Sequence, residues 1–99
     1  MDSSEVLQSL RSRLEELNRY GVERIGVFGS YATGTMREDS DLDVLVRFRE
    51  SARTFDNYMD LKELLEKLLG CPVDLVIADT VKPRLRAAIE REMVHAPGL

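Results

Sequence analysis

Three aspartates and a glycine–serine step carry the chemistry that this sequence offers. Gly29-Ser30 is followed, after ten intervening residues, by Asp41-Leu42-Asp43, and a third acid, Asp74, interrupts the apolar run from Val73 to Ile77. On a strand, Asp41 and Asp43 point to one face and lie about 6.6–7 Å apart along the chain. At an effective dielectric near 20, two carboxylates at about 7 Å repel by roughly 2.4 kcal/mol. A cation is what holds such a pair beside an apolar core. Hard oxygen ligands at this spacing suit Mg²⁺ or Mn²⁺, which keep several waters and share substrate phosphates. Gly29 lets the backbone approach a phosphate closely. Exposed amides and the Ser30 hydroxyl then donate hydrogen bonds to phosphate oxygens. Asp74 is costly inside an apolar strand unless it is paired or metal-bound. If its strand lies beside 42–48, Asp74 shares a cation with Asp41 and Asp43. That is a two-metal site, which activates an attacking hydroxyl and stabilises a leaving pyrophosphate. Asp74 is then the carboxylate nearest the nucleophile and the expected proton acceptor.

These residues need a scaffold, and the patterning supplies one. Asp2 stands three residues before Glu5 in the manner of a capping box, opening a first helix. Leu7, Leu10, Leu14 and Leu17 recur at helical spacing, and Gly21 ends it. A short apolar run over 23–30 reads as a strand, 31–40 as a loop turned by Gly34, and 42–48 as a second strand rich in β-branched residues. A helix begins near Thr54 or Asp56, buries Tyr58, Leu61, Leu65 and Leu68 with Leu64 and Leu69 beside them, and stops at Gly70. Pro72 precedes a third strand over 73–77. Pro83 opens a last helix that buries Leu85, Ala88, Ile89 and Met93. The expected fold class is α+β, in the order α-β-β-α-β-α, with helices flanking a small mixed sheet.

Composition narrows the class further. The length of 99 residues predicts a single domain, 1–99. With 43% hydrophobic and 32% charged residues the chain reads as globular, neither disordered nor a membrane protein. No apolar run approaches the roughly 20 residues of a membrane span, and the charged N-terminus is no secretory signal. A lone Cys71 forms no internal disulfide, which points to a reducing cytoplasm. A net charge of −4 argues against a dedicated nucleic-acid surface, while leaving room for a nucleotide carried with its metal. Small domains often gain stability by association, so a hetero- or homo-oligomer is an open expectation.

The run GSYATGTMREDSDLDVLV resembles the signature of the DNA polymerase beta-like nucleotidyltransferase superfamily: Gly-Ser, a ten-residue gap, then Asp-x-Asp. The likeness extends from about Arg24 to Asp74, and the short chain is similar to the minimal nucleotidyltransferases. That resemblance implies ATP as donor and Mg²⁺ as cofactor, with two ions, Asp41, Asp43 and Asp74 as ligands and Gly29 and Ser30 on the phosphates. It also implies a partner, a HEPN-family toxin whose tyrosine hydroxyl receives AMP, so that this chain acts as the antitoxin. One position departs from the pattern: minimal members usually carry arginine before the second loop glycine, and here Tyr31-Ala32-Thr33-Gly34 stands instead. Thr33 brings no charge to a triphosphate; Arg37 or Arg47 could compensate.

Blander roles compete for some residues. Asp39, Ser40 and Asp41 suit a turn before a strand, Ser30 a plain loop hydroxyl, and Asp74 a structural ion pair. His95 and Cys71 read as packing residues. Lys82, Arg84, Arg86 and Arg91 give the last helix a basic side, by default a solvated face, with a protein-binding surface as the sharper alternative. Two rival functions follow: an antitoxin that masks its partner without catalysis, or a small-molecule nucleotidyltransferase that needs a second subunit.

Overall fold

A computed structural model describes residues 3–29 and 41–95. The order of elements is α1 (Ser3–Arg11), α2 (Leu14–Arg19), β1 (Val22–Phe28), β2 (Leu42–Phe48), α3 (Phe55–Leu69), β3 (Val73–Ile77), α4 (Pro83–Glu92) and β4 (Val94–His95). Single 3-10 turns at Glu50–Ala52 and Ala78–Thr80 link β2 to α3 and β3 to α4. The expected order is present, with two additions: the first helix is broken, and a short fourth strand closes the chain. The proposed capping box lies outside the described residues, since it rests on Asp2.

The helix break has a local cause. The Ser12 hydroxyl donates to the Ser9 carbonyl at 2.6 Å, and the Arg13 amide turns to Leu10 at 3.1 Å. A side chain has captured the carbonyl that the next turn needed. The buried stripe is therefore Val6, Leu10 and Leu17, with Leu7 and Leu14 only packed against it. Gly21, at φ 80°, then turns the chain into β1; a Cβ there would run into the Ala52 methyl.

The sheet order is β3-β2-β1-β4. β1 pairs antiparallel with β2 and with β4, whereas β2 and β3 run parallel. Alternation along the strands divides the sheet into two faces. One carries Ile25, Val27, Leu42, Val44, Val46, Phe48, Val73 and Leu75, and packs with Val6, Leu10, Leu17, Leu61, Leu65 and Leu69 from the helices. A register shift between Val22 and Arg24 keeps Val22 on that face with Ile25. The opposite face carries a smaller cluster, Leu45, Ala78 and Met93 with Phe28, Val76 and Ile89, where α4 packs.

Two burial expectations fail here. Leu85 is 57% exposed, because α4 meets the sheet only through its C-terminal half at Ile89 and Met93. Asp74 is exposed rather than enclosed, because it points away from the main core and the second cluster covers that face of β3 at Val76 but not at Asp74. Its cost in an apolar strand is thus smaller than a fully buried strand implies. No helix among the described residues is long and apolar enough to cross a membrane.

The edge of β3 is closed by side chains. Glu66 Oε2 accepts from the Val73 amide at 3.0 Å, the Tyr58 hydroxyl donates to the Leu75 carbonyl at 2.8 Å, and the Thr80 hydroxyl donates to the Ile77 carbonyl at 2.8 Å. An edge strand treated this way cannot easily take up another strand. Removing the hydroxyl in Tyr58→Phe is expected to cost about 0.5–1.5 kcal/mol in urea unfolding with an unchanged m-value. An unchanged midpoint would show that the bond adds nothing.

Candidate active site

The site is built where β1 ends and β2 and β3 begin. Parallel strands in this register place Asp43 directly beside Asp74, and the antiparallel pair places Phe28 directly across from Asp43. Neighbouring strands lie about 4.8 Å apart, so this cross-strand acid pair is closer than Asp41 and Asp43 along their own strand. The two carboxyl groups stand close enough that each disfavours ionisation of the other, a cost that a proton or a cation relieves. Asp43 is half-buried, and its carboxyl is held above the ordinary carboxylate range. Desolvation contributes most, followed by the charge of Asp74, the hydrogen bond with Asp74 and the charge of Asp41.

Gly29 follows Phe28 with φ 71°, a left-handed conformation that favours glycine. A second constraint acts on the same atom: a Cβ here would collide with the Asp43 carboxylate, Oδ2 first. Glycine is therefore required both by the turn and by the acid pressed against it. Asp41 stands exposed just before β2. Among the described residues, no three carboxylate, histidine or cysteine groups already close on one point at metal-ligating range. The Asp43–Asp74 pair is the formed part of the set, and Asp41 stands outside it.

Ser30, Thr33, Gly34 and Arg37 lie outside the described residues. Arg47, the other arginine expected to compensate for Thr33, is among the described residues. It lies four residues along β2 from Asp43, about 13 Å by strand rise. There its Nε is 4.0 Å from Asp79 Oδ1. Asp79 also receives Arg53 at 2.9 Å and faces Arg86 at 3.9 Å. Sequence patterning did not reveal this cluster, because Arg47, Arg53 and Arg86 lie 32, 26 and 7 residues from Asp79 and meet it only in the folded chain.

A strand-end glycine packed on an acid, with two carboxyls in register beside it, is chemistry for a metal-borne phosphate. Residues 7–95 match the nucleotidyltransferase domain family. The chain belongs to that family. It is 42% identical over 90 residues to the protein adenylyltransferase MntA of Thermococcus cleftensis, covering 91% of this chain and 88% of the relative. A solved structure provisionally described as a minimal nucleotidyltransferase superposes with a TM-score of 0.77 at 46% identity, covering 95% of both chains. A chain in the complex of tri-AMPylated Shewanella oneidensis HEPN toxin with MNT antitoxin superposes at 0.64, covering 94% of this chain and 73% of that one. At 20% identity that last likeness shows the fold alone. The mixed sheet with flanking helices is thus the polymerase beta-like nucleotidyltransferase fold, and the chain is a nucleotidyltransferase-family enzyme.

The acid pair has a thermodynamic signature. Because folding raises the Asp43 carboxyl above its unfolded value, its neutral form favours the fold. That stability is complete at pH below the unfolded value and is lost as pH rises through the folded one. In chelator, Asp43→Asn is expected to melt higher than the parent chain near neutral pH and to lose that advantage in acid. A parent chain equally stable to the variant at both pH values would mean that the pair carries no penalty.

Proposed function

We propose that this nucleotidyltransferase moves AMP from ATP to a hydroxyl on a protein partner, the tyrosine of a HEPN-family toxin, and so serves as the antitoxin. The observation that carries this reading is the contact of Asp43 with both Gly29 and Asp74 at the end of β1. The name of the Thermococcus relative, a protein adenylyltransferase, supports the donor and the protein acceptor. The solved complex of AMPylated HEPN toxin with an antitoxin of the same fold supports the class of partner.

The donor set suits Mg²⁺, since Asp43 and Asp74 stand side by side in the sheet as hard oxygen donors, and a divalent cation would supply the positive charge that the pair lacks. In this reading Asp41 and Asp43 hold the ions, with Asp74 as a third ligand. Bound Mg²⁺ supplies positive charge to the triphosphate and lowers the pKa of the acceptor hydroxyl. Gly29 and Ser30 present backbone amides and a hydroxyl to the β- and γ-phosphates. Asp74, exposed at the sheet edge, accepts the proton of the incoming hydroxyl. The acceptor oxygen bonds to the α-phosphorus, the bond from that phosphorus to the bridging oxygen breaks, and pyrophosphate departs with the electron pair. The exposed side of Asp74 fits an acceptor delivered by a macromolecule.

Thr33, where minimal members usually carry arginine, favours a second reading in which the chain masks its partner without turnover. One experiment separates the two. Intact-mass analysis of the HEPN-type partner, incubated with this protein, ATP and Mg²⁺, is expected to show AMP adducts. Asp43→Asn and Asp74→Asn are each expected to slow their appearance at least ~100-fold, and EDTA to abolish it. Tight complex formation without any adduct would establish the masking role. Gly29→Ala is expected to behave like Asp43→Asn in this assay, because its Cβ displaces the Asp43 carboxylate. Full activity in that variant would remove Gly29 from the site.

A further inference from the structure

The charges on α4 are placed against its own helix dipole. The N-terminus of a helix is its positive end, where acids stabilise and cations do not. Here Lys82 is the N-cap, Arg84 stands in the first turn, and no acid occupies that turn. Arg86 lies 3.9 Å from Asp79, but Lys82, Arg84 and Arg91 stand in no ion pair among the described residues. Leu85, between Arg84 and Arg86, is 57% exposed. Folding accounts for neither feature. On a chain of net charge −4, they point to a ligand of opposite charge with an apolar part.

The helix period shows which way these residues look. Ile89 and Met93 face the sheet. Arg86 and Glu90, one turn apart, face its Arg47 end: Arg86 toward Asp79, and Glu90 in a small hollow that Arg24 and Arg47 also line. At about 100° per residue, Leu85, Ala88 and Glu92 lie on the other flank. Along the outward face of β2, Asp43 and Arg47 stand on opposite sides of Leu45, over which α4 packs. The Leu85–Ala88 flank therefore looks toward Asp43 and Asp74. Half-buried Val76 lies between that flank and Asp74, two residues along β3 on the same face, about 7 Å by strand rise. Val76, Leu85 and Ala88 thus form an apolar shelf leading to Asp74, with Arg84 and Arg91 on its solvent side.

We propose that this shelf docks the acceptor protein through an acidic segment, whose carboxylates meet Arg84 and Arg91 while an apolar side chain rests on Leu85 and Ala88. The inference rests on the protein-acceptor reading above and adds to it the chemistry of the segment that brings the hydroxyl to Asp74. Charge complementarity selects an acidic partner and speeds its encounter. Position favours an acceptor, because the shelf ends at the carboxylate assigned to take its proton. A nucleic acid fits less well: Leu85 interrupts the cations, and Glu90 and Glu92 share the helix.

Titration of the HEPN-type partner with the full chain, in chelator and without nucleotide, reads docking apart from chemistry. Arg84→Glu and Leu85→Asp are each expected to weaken the complex at least ~10-fold, whereas Arg84→Lys retains it. Arg84→Glu is expected to melt no lower than the parent chain, since it sets an acid at a helix N-terminus. Lys67→Glu, the same charge change on exposed α3, is expected to leave the affinity unchanged. Added salt should weaken the parent complex more than that of Arg84→Glu. In the transfer assay both weakened variants should raise KM for the partner and not for ATP. Unchanged affinity in Arg84→Glu and Leu85→Asp, a partner that does not bind the parent chain, or an equal rise in KM for ATP would overturn the proposal. So would binding of single-stranded RNA that Arg84→Glu abolishes while the partner still binds. A complex that forms without AMP transfer sinks the transferase reading alone, and the variant affinities then still decide the surface.

Discussion

Everything at the candidate site depends on the parallel pairing of β2 with β3. That register sets Asp43 against Asp74, two groups that repel when both are ionised. The sheet tolerates the pair because the opposite face of the same strands buries Leu42, Val44, Val46, Val73 and Leu75 against the helices. One misregistered residue would turn the acids into the core and the leucines and valines out of it. Hydrophobic burial on one face thus fixes the position of charge on the other. The acid pair itself stabilises nothing without a proton or cation.

The second face is divided along its length. Asp43 and Asp74 mark one end, the small cluster around Leu45, Ala78 and Met93 fills the middle, and Arg47 with Asp79 marks the far end. α4 runs across this face and reaches β1 through Met93 and β4, leaving the acids open on the β3 side. The arginines around Asp79 are surface pairs, each worth little alone. They tie β2, the turn before α3 and α4 to one carboxylate.

Closure of the β3 edge by Glu66, Tyr58 and Thr80 bears on both the site and the surface beyond it. Asp74 lies on this edge strand, where side chains stand in place of free backbone groups. In the proposed transfer, an acceptor hydroxyl carried on a helix or loop fits that constraint better than an added strand. Tyr58 and Thr80 also line the apolar hollow beside Phe55.

Much of this was legible in the sequence. Periodicity located β2 and β3 to the residue and α3 to within a residue of its start near Thr54 or Asp56 and at its Gly70 stop, because these segments are bounded by strong local signals. The spacing of Gly29-Ser30 from Asp41-Leu42-Asp43 carried the family, since turn chemistry and ligand type are properties of residues and their intervals. What local signals could not carry was tertiary. The break at Ser12 is a competition between one hydroxyl and one backbone amide. The exposure of Leu85 depends on where α4 crosses the sheet, and that of Asp74 on the second cluster reaching Val76 but not Asp74. Only the register of distant strands makes Asp74, and not Asp41, the closest charged neighbour of Asp43. The sequence by itself chose the reacting groups; pairing across 31 residues of chain decided which of them touch.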